Sequence, residues 1–244
     1  MAKISVVAEQ GRERLWVKLG EATPELANAL RRAILGYLPS FAVDEVHMYQ
    51  NTSPLYNEYL AHRIGLIPLT WQEGVADDAR MTFSLQVEGP ATVYSGDLKS
   101  SDEFIRVFNP KMPLAKLGPG QKLRLDAFAI KGTARQHAKF QCAHASYAQW
   151  ADLRSDKKAK AAELVKQLLP RAQIEDDLVL HNPHQVDVLS VADQLLEGGV
   201  MVKSSEENFL FQVESYNNLS AAQQLTRGVG VLLQKATELA DVKI

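Results

Sequence analysis

Apolar and polar positions follow several distinct rhythms along the chain, and each predicts an element. Residues 3–9 and 13–19 alternate or run apolar on either side of Gln10-Gly11, which predicts an opening β-hairpin. Thr23-Pro24 then starts a helix, because threonine can cap and proline is pre-set for the first helical position. Leu26, Leu30, Ile34 and Leu38 recur at four-residue spacing, with Ala27, Ala33 and Tyr37 beside them, so the helix runs over 24–38. Pro39 ends it by biasing Leu38 away from helical angles. Phe41, Val43, Val46, Met48 and Tyr49 mark a strand that stops near Asn51-Thr-Ser-Pro54, and its broken alternation at Glu45-Val46 predicts a bulge. A second helix covers Tyr56–Leu66 before Pro68.

The pattern changes after the polar stretch 72–80. Residues 81–87, 91–95, 104–108 and 122–131 read as short strands, with Leu117-Gly-Pro-Gly120 a turn. Helical spacing returns over 155–169 and closes at Pro170. A strand at Leu178–Leu180, a helix near Val186–Leu196 and a strand at Val200–Lys203 complete a small α+β unit. Phe209, Phe211 and Val213 alternate as in a half-buried strand. Ser220-Ala-Ala-Gln223 fits a capping box, and the last helix carries Leu225, Val229, Leu232, Leu233, Ala236 and Ala240 along one stripe. Gly228 and Gly230 lie inside that helix, each at a cost of up to about 1 kcal/mol relative to alanine.

A hydrophobic content of 46% is enough for a proper core in one large or two medium domains. The net charge of −2 gives no basic footprint for an independent nucleic-acid binder. No apolar run reaches the roughly 18–20 residues of a membrane span. The N-terminus lacks the apolar core of a signal peptide. Cys142 is the only cysteine, so a cytoplasmic address is expected and an intrachain disulfide is excluded.

Three blocks together carry a resemblance: Asn28-Ala-Leu-Arg-Arg-Ala-Ile-Leu35, Glu45-Val-His-Met-Tyr-Gln-Asn-Thr-Ser-Pro54 and Glu58-Tyr-Leu-Ala-His-Arg-Ile-Gly-Leu-Ile-Pro68. With Arg135-Gln-His-Ala-Lys-Phe140 and Phe209–Leu239, they resemble a family of RNA polymerase assembly proteins. That family holds the archaeal RNA polymerase D subunit, the third-largest subunit of eukaryotic polymerase II and the N-terminal domain of bacterial alpha. The blocks cover roughly half the chain directly, in the family's order.

The resemblance implies an α+β fold with a discontinuous alpha-like dimerisation domain, residues 1–70 and 206–244, interrupted by a β-rich insertion domain at 71–205. Within the insertion, 150–205 follows the ferredoxin-like subdomain that holds an iron–sulfur cluster in many of the archaeal proteins. Such a cluster requires thiolates. This segment has no cysteine, so a cluster-free relic is expected, with no cofactor. The resemblance further implies a non-catalytic scaffold. It would pair as a heterodimer with an alpha-like small subunit (L in archaea), then receive the second-largest subunit and the small zinc-bearing subunits. Sequence-specific DNA contact and membrane attachment are not expected.

The residues expected at subunit interfaces are Leu26, Leu30, Ile34 and Leu38 of the first long helix and Leu225, Val229, Leu232 and Leu233 of the last. Most of such a face must be ordinary core, but the apolar positions occupy more than one stripe and leave area for a partner. Arg31 and Arg32 suit a solvated face; by resemblance they face the large subunits, where guanidinium forks take carboxylates or carbonyls. His62 and Arg63 sit on a short apolar helix without the partners of a catalytic triad. His137 and Lys139 belong to the 135–140 block, which resembles the family's surface for other subunits.

Two functions of other classes compete with this one. A small metal-dependent enzyme would use His137, Cys142 and His144, or His181 and His184, but their spacings match no zinc pattern. A free-standing DNA-binding regulator would use Lys157, Lys158, Lys160 and Lys166, which instead have the spacing of a solvated helix face without stacking aromatics. Gly118-Pro-Gly120 lacks the lysine and hydroxyl of a phosphate loop.

Overall fold

The computed structural model describes residues 2–170 and 187–241. In chain order the elements are β1 (Lys3–Gln10), β2 (Arg14–Gly20), α1 (Pro24–Gly36), β3 (Pro39–Asn51), α2 (Asn57–Gly65), β4 (Arg80–Glu88), β5 (Ala91–Tyr94), β6 (Lys99–Ser100), β7 (Pro113–Leu117) and β8 (Lys122–Thr133). They continue with β9 (Ala143–Arg154), α3 (Lys158–Leu168), α4 (Asp187–Ser190), α5 (Ala192–Glu197), β10 (Met201–Ser215) and α6 (Ala221–Ala240).

Contacts divide the chain into two units, one of residues 1–34, 145–214 and 221–244, the other of residues 35–144 and 215–220. The first contains a four-stranded sheet in the order β1-β2-β10-β9. Its opening hairpin turns at Gly11, whose φ of 60° lies in the left-handed region open to glycine. β2 then pairs antiparallel with β10, from Leu19 opposite Phe209 to Arg14 opposite Glu214. The alternation in β2 buries Leu15, Val17 and Leu19, as period-two patterning requires.

α1 begins as the sequence predicts. The Thr23 hydroxyl accepts the backbone N–H of Leu26, and the Thr23 carbonyl accepts that of Ala27. Ala27, on the buried stripe of α1, packs with Leu19, Ala22 and Phe209.

Where α6 crosses α1, Gly228 leaves room for the side chains of Leu30 and Ile34. A Cβ added there would lie 2.5 Å from Ile34 Cγ1, whereas one added at Gly230 would meet nothing within 4 Å. Two glycines two residues apart therefore predict opposite outcomes. Gly230→Ala should stabilise the chain by up to about 1 kcal/mol, the helix-propensity gain alone. Gly228→Ala should be net destabilising by about 1–2 kcal/mol, because the same gain is outweighed by overpacking of about 1–3 kcal/mol. Urea unfolding midpoints of the two variants check the signs.

The second unit holds a four-stranded sheet in the order β3-β8-β4-β6 and the two-stranded pair β5-β7. One sheet face, with α2 and the connecting loops, encloses Phe41, Val43, Leu60, Ile64, Phe83, Leu85, Ile105, Leu123 and Leu125. The register of β3 against β8 slips between Val43 and Glu45 and again between Met48 and Gln50, so the predicted bulge falls at Asp44, one residue earlier.

Several expectations change. The divisions at 70 and 205 do not coincide with the observed units. β3 belongs with β8 because eleven residue pairs join them from Pro39↔Thr133 to Asn51↔Leu123. Residues 145–205 group instead with the chain ends. The apolar run 104–108 is not a strand: its backbone bonds to the side chains of Asp102, Thr70 and Ser100, apart from one bridge of Val107 to Leu69. The expected strands at 200–203 and 209–213 are one continuous strand, β10. The strand expected at Leu178–Leu180 lies outside the described residues. Around α3 and α5, Ala151, Leu153, Ala161, Val165, Leu169, Val188, Leu195 and Val200 form a separate apolar cluster.

Candidate interaction surfaces

Helix α6 is buried at its start and bare at its end. Ala221, Gln224, Leu225 and Gly228 are buried. Further along the same stripe Val229 is 44% exposed, Leu233 69% and Leu239 75%, with Leu232 half-buried. On the helix that packs against it, Leu26 is exposed as well. An isolated exposed leucine is ordinary, but several on one stripe form a patch that asks for a cover.

The eight apolar residues expected at an interface therefore divide. Leu26, Val229, Leu232 and Leu233 have surface to offer a partner. Leu30, Ile34, Leu38 and Leu225 do not, since all are buried within the chain itself. These four are core, a correction to their interface assignment, and the physical reason for Leu30 and Ile34 is the crossing at Gly228. Leu239, exposed at the far end of the stripe, was not among the expected residues although its spacing from Leu232 continues the same face.

The two arginines of α1 have separate environments. Arg31 is half-buried, and its Nε and Nη2 donate to Asn28 Oδ1 at 3.3 and 3.0 Å. Arg32 is exposed and joins no ion pair among the described residues.

In the second unit, α2 presents a different surface. His62 is exposed. The Arg63 guanidinium donates to the Pro113 carbonyl and to the Tyr59 hydroxyl, and its carbon lies 5.7 Å from the Tyr59 ring centre. Its Nε is buried without an acceptor. These residues, with Leu66, Met112 and Leu114, line a shallow hollow of about 360 Å³. Tyr59 and Leu66 are each 48% exposed at its edge. Arg63 is thus largely occupied in joining α2 to β7, and the apolar rim is what remains available.

The 135–140 block is built mainly for internal contacts. The Arg135 N–H donates to the Gly36 carbonyl, and its guanidinium lies over the Tyr37 ring. His137 is exposed, but its Nδ1 accepts the backbone N–H of Lys139 and caps a short 3-10 turn. Lys139 pairs with Asp44 at 2.5 Å and its side chain is only 12% exposed. Lys139 therefore ties this block to the β3 bulge.

The outer face of the second sheet is polar and self-paired. Glu45 accepts from His47 and Arg80, and these hydrogen bonds, His47 first, hold its carboxyl below the usual carboxylate range. The Tyr49 hydroxyl donates to Asp126 at 3.0 Å, which pushes its pKa above the ordinary tyrosine value. No group of three or more His, Cys, Asp and Glu suited to a metal occurs among the described residues. Cys142 is buried and His144 exposed, while His181 and His184 lie outside those residues. Lys157, Lys158, Lys160 and Lys166 are all exposed around α3, as a solvated face requires. No described helix is long and apolar enough to cross a membrane.

Residues 46–147 match the model of the RNA polymerase Rpb3/RpoA insert domain, most of the second unit. The sequence is 34% identical to DNA-directed RNA polymerase subunit Rpo3 of Thermococcus kodakarensis over 222 residues, 86% of each chain. It is 32% identical to subunit Rpo3 of Pyrococcus furiosus over 249 aligned positions, covering 97% of this chain and 95% of that one. Against subunit Rpo3 of Methanocaldococcus jannaschii the identity is 41% over 132 residues, 54% of this chain and 68% of the relative.

Proposed function

Because this chain belongs to the family of the DNA-directed RNA polymerase subunit Rpo3, we propose that it is the non-catalytic assembly platform of a cytoplasmic RNA polymerase. It pairs through α1 and α6 with an alpha-like small subunit, the archaeal L type. The pair then receives the second-largest subunit and the small zinc-bearing subunits, while nucleotidyl transfer belongs to the large subunits. The single observation that carries the pairing is the uncovered apolar stripe of α6, from Val229 through Leu232 and Leu233 to Leu239. Burying apolar area of this kind stabilises association at roughly 25 cal/mol per Å² before the cost of ordering is subtracted.

The direct test is co-expression with an alpha-like subunit followed by mass measurement of the complex. A one-to-one pair is expected, and the chain expressed alone should self-associate or aggregate. A stable, well-behaved monomer at micromolar concentration would sink the reading.

Replacing Arg31 and Arg32 together with alanine should change folding stability by no more than about 0.5–1 kcal/mol, because one guanidinium is exposed and the other bonds within its own helix. Docking of the large subunits should weaken, with Arg32→Ala alone carrying most of the loss. Wild-type yields of assembled polymerase from the double variant would remove the docking role.

The residues present do not fit an iron–sulfur cluster. The sequence offers one thiol, Cys142, and it is buried outside the 150–205 segment. That segment packs Val165, Val188, Leu195 and Val200 into an apolar cluster of its own. The purified protein should be colourless, and a chelator should leave its melting temperature unchanged. Stoichiometric iron with acid-labile sulfide would overturn this expectation.

A further inference from the structure

The loop after β6 holds an aromatic side chain out in solvent on a backbone bonded at both ends. Phe104 is 59% exposed, while its neighbour Ile105 is fully buried in the core of the second unit. Asp102 Oδ1 accepts the N–H groups of both Phe104 and Ile105 at 2.7 Å. The Thr70 hydroxyl donates to the Phe104 carbonyl and accepts the Arg106 N–H at 2.8 Å. The Ser100 hydroxyl donates to the Ile105 carbonyl at 2.6 Å. A backbone tied at each step around an exposed ring is already in one conformation, so little ordering remains to be lost when that ring is buried.

The same loop contributes to a hollow of about 300 Å³ whose lining includes Lys99, Asp102, Arg106 and Pro110, though not Phe104 itself. Its one lining carboxylate, Asp102, already accepts two N–H groups. Neither cation joins an ion pair among the described residues, and Lys99 Nζ donates only to the Gly96 carbonyl at 3.1 Å. Glu103 is exposed on the same loop but does not line the hollow.

We propose that residues 99–106 form a docking element for another protein subunit. Phe104 enters an apolar pocket of that subunit, and an adjacent carboxylate of the same subunit sits in the hollow against Arg106 and Lys99. Charge selects the occupant: the hollow presents two cations without ion pairs on the loop that also exposes an apolar anchor, and arginine and aromatic residues together are typical of interface hot spots. This inference rests on the polymerase reading above for the identity of the partner as a polymerase subunit.

The experiment compares wild type, Phe104→Ala and Arg106→Glu, each in the full chain paired with its alpha-like subunit. Binding of the paired chains to the remaining purified polymerase subunits is measured by titration. Each variant is expected to weaken one of these associations at least tenfold, with Arg106→Glu also flattening its salt dependence, while the melting temperature of the pair stays within about a degree of wild type. Unchanged affinity for every subunit would overturn the proposal. So would a melting temperature lowered as far as by Ile105→Ala, since Phe104 would then be a packing residue. If the wild-type pair binds no polymerase subunit at all, the polymerase reading itself has failed, a result separable from either outcome at Phe104.

Discussion

Replacing Ile34 with aspartate is expected to unfold the helical layer of the first unit. Ile34 is 1% exposed and fills the space left by Gly228. The variant removes an apolar side chain, a loss of about 2–5 kcal/mol for truncation alone. It also places a carboxylate where the described packing gives it no cation, so the group must either protonate or draw in water. A total of roughly 4 kcal/mol or more is a large part of the 5–15 kcal/mol that holds a typical domain together. Ile34→Val provides the graded control, at about 0.5–1.5 kcal/mol. Urea unfolding followed by circular dichroism would show the aspartate variant with little or no folded baseline. A wild-type midpoint for that variant would mean that α6 does not cross α1 at Gly228.

The same substitution on the neighbouring helix should have a different consequence. Leu233 is 69% exposed, so Leu233→Asp should alter the stability of the isolated chain by no more than about 0.5 kcal/mol. If α6 is the pairing helix, however, the new charge would be buried at the interface with its partner. A loss of at least about 2.7 kcal/mol, or a hundredfold in affinity, is then expected. The variant alone should also be more soluble than wild type, because the patch is broken. The deciding measurement is a titration against the alpha-like partner: a wild-type dissociation constant would show that the exposed stripe faces something else.

This contrast marks how far the sequence could be read. Period and capping located α1, α2 and the opening hairpin, because Thr23-Pro24, Gln10-Gly11 and the four-residue spacing act locally. The same spacing placed Leu225 and Leu233 on one face of α6. It could not say where along that face the intrachain cover ends, since that depends on the crossing with α1. β9 escaped notice because Ala143, Ala145, Ala148 and Ala151 dilute the apolar signal, and its strand character comes from the sheet it joins. Residues 104–108 looked like a strand because short apolar runs are ambiguous. The side chain of Asp102 settles that case by bonding its own downstream backbone into a turn. The grouping of β3 with β8 is a long-range matter that no local pattern carries: nothing near β3 indicates that its partner is β8.

The pairing of β2 with β10 also sets an order of events during synthesis. Leu19 meets Phe209, roughly 190 residues later, which at 5–20 residues per second is a wait of about 10–40 s. The second unit draws on residues 35–144 and 215–220, and its four-stranded sheet is complete once β8 has emerged, so this sheet can form while the ribosome is still translating. The opening hairpin meanwhile lacks β10, the strand it pairs with, and α6 emerges only after β10. If α6 is the pairing helix, a chain cut short before it would carry the second unit but could not pair, so dimerisation would select for molecules translated through α6 without any separate proofreading step.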